Sequence, residues 1–386
     1  MILSAVHILG QAGLQDIIIS NGMIRSLTPH KEGIAGAIEM PPDSIAFPGL
    51  INSHDHLDFN LFPQTGNRIY KNYKEWEEDI NSNDIDRIKP VLSIPQQLRI
   101  QWGIYKNLLN GVTTVVNHGK KIKPESDLIT VFQDCYSLHS IAYEKNWKLK
   151  LNKPFTKNKP FVIHAGEGTD ESSAKEIDTL IKANISKKKM IAVHGVAMNP
   201  AQAKAFEALI WCPASNYFLL DATADIEKLK KETAIVFGTD STLSAGWSIW
   251  DHLRMARETK KITDKELLDA VTVTAAELWK LNTGSIAENR IADIVIARKK
   301  KRASDIDSFY SKNPEDILLV MHQGNINLFD NSLFNRLNDG MISMNDYSSI
   351  EINGSKKFIR GDLPSLLRDI KKYHPDALFP VSIHQV

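Results

Sequence analysis

The sequence predicts an α/β fold, a parallel β/α barrel flanked by short strands from both termini. Three observations predict it. From about residue 45 to 283, apolar strand-like runs alternate with helical stretches. Polar residues cluster at the ends of those runs, and the two termini carry short strands separated by turns instead.

In chain order, residues 1–44 read as a small β-sheet, with Asn21-Gly22 in QDIIISNGMIRSLTP forming a hairpin turn. A Pro-bounded run from Ile45 to His56 opens the strand-then-helix regime. SIPQQLRIQWGIYKNLLNG places Leu98, Trp102, Tyr105 and Leu109 at helical spacing and ends at Gly111, before the strand VTTVVNHG. Residues 120–160 offer one convincing strand, ITVFQDCYSL. FVIHAGEG, MIAVHG, IWCPASN and AIVFGTDS are the later strands, with helices over SSAKEIDTLIKAN and AQAKAFEAL between them. Thr263 and Glu266 form a capping box for a helix whose face is Leu267, Val271, Thr274 and Leu278. Beyond Gly284 come short strands and a closing helix, LPSLLRDIKKY, and the N- and C-terminal strands are expected to pair into one sheet. The expected division is therefore 1–44, 45–283 and 284–386.

Composition narrows the function classes. With 47 Lys+Arg against 46 Asp+Glu the net charge is +1, which lacks the field of a nucleic-acid or anionic-membrane binder. No run approaches the roughly 20 apolar residues of a membrane helix, and the N-terminus lacks a signal-peptide pattern, so a cytoplasmic protein is expected. Cys135 and Cys212 read as buried apolar residues, and the basic runs 187–189 and 299–302 as solvated charges. The expected partner is a small-molecule substrate, with no nucleic acid and no membrane, and a homodimer is the possible assembly.

The chemistry lies at strand ends. His54 and His56 in SHDH, His164 in IHAGEG, His194 in AVHG and Asp240 in FGTDS all close predicted strands. In a β/α barrel that end carries the active site, and eight units in about 250 residues average about 31 each. His164 and His194 are 30 residues apart, one unit; His56 to His164 is 108 and His194 to Asp240 is 46, which implies strands 1, 5, 6 and 8. Alternate strand residues share a face, so His54 and His56 point together into the mouth. A third histidine and a carboxylate complete an N3O set suited to one divalent ion, zinc first and iron second. Such an ion holds a water whose pKa falls to about 7.

PGLINSHDH, the HxxE of His164 to Glu167, VHG, GTDS, WCPASN and the late GSIAENRIADIVI together resemble the amidohydrolase superfamily, in its mononuclear deaminase-like group of cytosine, guanine and S-adenosylhomocysteine deaminases. The resemblance spans nearly the whole chain. It implies a distorted (β/α)8 TIM barrel plus a β-sandwich built from both termini. It also implies metal ligation by His54, His56, His164 and Asp240, and catalytic roles for Glu167, His194 and Asp240. Glu167 would carry protons to a ring nitrogen, and His194 would bond the reacting water or the tetrahedral intermediate.

The expected activity is metal-dependent hydrolytic deamination of a cyclic amidine or aminated heterocycle, of nucleobase, nucleoside or pterin type. Two alternatives stand beside it: loss of chloride or an alkylamine, or opening of a ring amide, at the same site; and a catalytically silent scaffold. Tyr70, Tyr73 and Trp76 suggest a cover over the mouth, with a solvated flap as the other reading. His118 and His139 could touch substrate, but a hydrogen-bonded structural role is the safer reading for each, and His252 is read the same way. Lys148 and Lys150, 14 to 16 residues before His164, lie too close for a bridging lysine on strand 4.

Overall fold

Residues 1–154, 159–338 and 342–383 are described by the computed structural model. Eight parallel strands follow one another: Leu50–Asp55, Val112–Asn117, Thr130–Phe132, Tyr136–Leu138, Phe161–Ala165, Met190–His194, Ala208–Trp211 and Ala234–Phe237. They form an arc of three and an arc of five. The arcs meet where the Thr239 and Asp240 amides donate to the His54 carbonyl at 3.1 and 3.0 Å. Helices cover the strands outside, so strand residues are buried on both faces and read as continuous apolar runs. This is a distorted (β/α)8 barrel.

The helix Gln96–Leu109 is buried along nearly its whole length after Arg99, Lys106 and Asn107 included. The terminal segments build two further sheets. Residues 1–40 supply a four-stranded sheet, in the order Met23–Pro29, Leu14–Ser20, Ile2–His7, Ala37–Glu39. The other, of six strands, runs from Tyr347–Ile352 through Ser355–Arg360, Asn325–Asp330, Ile317–His322 and Ile294–Arg298 to Ser44–Pro48. Leu3, Val6, Ile17 and Ile38 of the first pack in one apolar cluster with Ile294, Ile296, Leu319 and Phe329 of the second, which makes a β-sandwich. Asn21 and Gly22, at φ 52° and 72°, make the expected hairpin turn.

Five local expectations are corrected. The terminal strands form two facing sheets and not one, because each sheet needs an apolar face to cover its own. ITVFQDCYSL holds two strands of three residues, Thr130–Phe132 and Tyr136–Leu138, too short to show a period. The strand in IWCPASN stops at Trp211, and Pro213 at the first helical position starts the helix Pro213–Leu220. The capping box at Thr263 is present, but its helix ends at Ala270 and a second runs Val273–Trp279. Lys188 is buried, its ammonium donating to the Lys153 carbonyl.

Among the described residues no helix is long and apolar enough to cross a membrane. Cys135 and Cys212 are buried and free of disulfides.

Candidate active site

The five residues singled out by strand position, and Glu167, singled out by the resemblance, converge at the mouth. His54 lies in the first strand and His56 directly follows it. His164 and Glu167 come from the fifth strand and its loop, His194 ends the sixth, and Asp240 follows the eighth. His54 Nε2 stands 3.2 Å from His164 Nε2. Asp240 Oδ1 is 3.9 Å from His54 Nε2 and 3.8 Å from His56 Nε2. His194 Nε2 lies 3.6 Å from Glu167 Oε2 and 4.0 Å from Asp240 Oδ2.

Local backbone explains the convergence. Asp240 and His194 both adopt left-handed conformations, φ 58° and 70°, sparsely populated by non-glycine residues and found at functional sites. Gly238 lets the eighth strand approach the first: a Cβ there would meet His54 Cβ at 2.6 Å.

The donors fit a cation. Ligand atoms of His54, His56 and His164 lie within 4.8 Å of one another, as do those of His54, His194 and Asp240. Two ligands held about 2.1 Å from one ion in tetrahedral geometry are themselves about 3.4 Å apart. The separations of 3.2, 3.9 and 3.8 Å bracket that value. Burial, and then the neighbouring imidazoles, push His54 and His164 well below the usual histidine range. Both rings are therefore neutral and present lone pairs.

Carboxyl electrostatics separate two roles. Burial, reinforced by the charges of Asp240, Glu77 and Glu176, raises Glu167 well above the ordinary range, so it keeps its proton. Burial would raise Asp240 as well. The imidazoles of His56 and His194, the Ser241 amide and the Ser215 hydroxyl outweigh it and hold Asp240 low, hence ionised. Two buried carboxyl groups driven apart in this way are the usual arrangement for an acid beside a base.

Sequence reasoning noted WCPASN but assigned its residues no task. Ser215 Oγ donates to Asp240 Oδ2 at 2.9 Å, and Ser244 Oγ to the same oxygen at 3.0 Å. Asn216 Oδ1 accepts from His194 Nδ1 at 2.9 Å, which leaves His194 Nε2 with its lone pair toward Glu167 and Asp240. The motif was the available signal; its helical start hid which way the side chains point.

Above the cluster is a cavity of about 330 Å³. Phe59, Phe62, Trp76, Ile80 and Leu243 form its apolar wall, with Tyr73, Glu77 and His139 as polar lining. The cover reading holds: Tyr70, Tyr73 and Trp76 are buried, and Trp76 Nε1 donates to the Thr65 carbonyl. Of the histidines read as structural or as touching substrate, His139 lines the cavity; burial lowers it to about 4. His118 stacks on His164 with ring centroids 4.5 Å apart, and His252 Nε2 donates to the Gly246 carbonyl. Lys148 and Lys150 are exposed on the short helix Trp147–Leu151.

Comparisons with known proteins agree with this architecture. Residues 148–327 match the amidohydrolase family. A 5-methylthioadenosine/S-adenosylhomocysteine deaminase of Pyrococcus furiosus is 21% identical over 360 residues, covering 74% of this chain and 82% of that protein. A zinc-bound adenosine deaminase from Xanthomonas campestris superposes with a TM-score of 0.73 at 15% identity, covering 97% of each chain. Atrazine chlorohydrolase from Arthrobacter aurescens, complexed with zinc, gives 0.63 at 16% identity, over 84% of this chain and 94% of that one.

Proposed function

We propose, from the premise that the chain belongs to the amidohydrolase superfamily, that it is a metal-dependent hydrolase releasing ammonia from a cyclic amidine or aminated heterocycle. The observation that carries this reading is the meeting of the His54, His56 and His164 imidazoles with an ionised Asp240 beside a protonated Glu167, beneath an apolar cavity. His54, His56, His164 and Asp240 would hold one divalent ion, zinc in preference to iron because hydrolysis makes no redox demand. When bound, that ion lowers the pKa of a coordinated water to about 7 and so supplies a nucleophile at neutral pH.

The protein's own groups do the rest. Glu167 donates its proton to the ring nitrogen next to the reacting carbon, which makes that carbon more electrophilic. Asp240 takes a proton from the attacking water and passes it to the departing amine, and the hydroxyl proton left on the carbon returns to Glu167 as the carbonyl forms. Ser215 and Ser244 fix the orientation of Asp240 by holding Oδ2. His194, its Nδ1–H committed to Asn216, offers Nε2 to the reacting water. The apolar wall accepts the flat ring and displaces bulk water.

Within this reading the chain divides near the expected 1–44, 45–283 and 284–386, with the strand Ser44–Pro48 going to the terminal sandwich instead of the barrel; it works in the cytoplasm as a monomer or homodimer, and needs neither nucleic acid nor membrane. The test is an ammonia-release screen of zinc-loaded protein against nucleobases, nucleosides, pterins and aminotriazines. Ammonia from at least one class is expected. Release of chloride or alkylamine without ammonia would move the reading to another leaving group, and no turnover by protein with full metal content would favour a silent scaffold.

A further inference from the structure

Behind the first strand lies a buried polar network that the proposed chemistry does not use. Asp55 sits between His54 and His56, so it faces away from the mouth, and it is fully buried. Its Oδ2 accepts from Lys106 Nζ at 3.1 Å and Asn107 Nδ2 at 2.8 Å, both on the helix Gln96–Leu109. Its Oδ1 accepts from Asn60 Nδ2 at 2.8 Å. Lys106 is 2% exposed and its ammonium also reaches Thr239 Oγ1 at 3.4 Å.

Thr239 is the residue before Asp240. Its hydroxyl accepts from Asn52 Nδ2 at 2.8 Å and donates to the Asp240 carbonyl at 2.9 Å. Asn52 Oδ1 accepts the Thr239 amide at 3.0 Å. One run of bonds thus begins between the two histidines and ends on the left-handed backbone of Asp240. A buried ion pair costs desolvation and is weak support for stability, since well-packed apolar side chains often do as well. Its use here is geometric.

We propose that Lys106 and Asp55 are positioning residues that set the distance from His54 and His56 to Asp240, and thereby the fit of the cation site. The proposal rests on the metal-site reading above. Neither residue touches the ion or the substrate.

The experiment measures the zinc dissociation constant of apo-protein, by competition with a chelating dye, beside its melting temperature. The proteins are wild type, Lys106→Met, the double variant Asp55→Asn/Lys106→Met, and Ile38→Ala in the terminal sheet. Lys106→Met leaves an uncompensated buried charge, so the double variant carries the test if the single one does not fold. Zinc binding is expected to weaken roughly 10- to 100-fold in the double variant, the usual scale for groups that orient metal ligands, while its melting temperature stays near that of wild type. Ile38→Ala is expected to melt lower and bind zinc normally.

A folded double variant with wild-type zinc affinity would overturn the proposal. So would failure of both Lys106 variants to fold, which would assign the pair to stability. Wild type that takes up no zinc would bring down the metal-site reading itself, a different result from the first two.

Discussion

The barrel mouth and the terminal sandwich are both closed to solvent but are filled with opposite materials. At the mouth His54, His164, Glu167, His194 and Asp240 are each less than a tenth exposed. In the sandwich the buried places go to Leu3, Val6, Ile296, Leu319 and Phe329. Removing ionisable groups from water costs free energy unless they are paired, whereas apolar burial contributes about 25 cal/mol per Å². The difference teaches that the sandwich contributes stability, while the mouth trades stability for reactive groups in fixed places.

The largest expected effect separates the two regions outright. His54→Ala should lose bound metal and activity together while the fold persists, as metal analysis and circular dichroism will read; a variant that keeps a full metal complement would remove His54 from the donor set. Next, Glu167→Gln should lower kcat about 10²- to 10⁴-fold, the scale of general acid catalysis, with metal content unchanged. Wild-type turnover in that protein would end the proton-donor role.

On the sandwich side, Leu319→Ala should cost about 2–5 kcal/mol in urea unfolding, the range for emptying a buried leucine site. Its kcat/KM below the transition should equal that of wild type, and a matching loss of activity would show that the two regions are not independent.

The smallest effect concerns Glu77 in the cavity wall, which burial raises from 4.5 to about 7. Between those values the unfolded chain has released a proton that the folded chain still holds, so stability falls as pH rises from about 4.5 to about 7. Glu77→Gln removes that loss. The variant should melt with wild type near pH 4 and a few degrees above it near pH 8; equal melting at both would place Glu77 in contact with water.

The histidines and Asp240 were legible because strand spacing is a strong constraint: two residues apart for His54 and His56, one barrel unit for His164 and His194. Three-residue strands such as Tyr136–Leu138 carry too few positions to display alternation, which is why the third and fourth strands blurred into one. Lys106 was read past because a lysine on a helix ordinarily marks the solvated face, and only the partner side chains in the fold reveal that it is buried. Glu77 lies on the helix Tyr73–Asn83 in the segment between the first two strands, where no periodicity tells cavity-facing from water-facing. Ser215 and Asn216 were visible as a motif, but the segment was read as a strand, whereas both lie in the first turn of the helix Pro213–Leu220.

The cover over the mouth is fastened to the barrel by main-chain bonds on three flanks. Tyr73 N and Lys71 O join the loop after the fifth strand, Tyr70 N donates to Leu219 O after the seventh, and Thr65 N to Leu243 O after the eighth. A roof tied down in this way can swing open only by breaking those bonds. The cavity lining reaches solvent at Leu92, so compounds are expected to enter and leave on that side, where the opening would select among them by size.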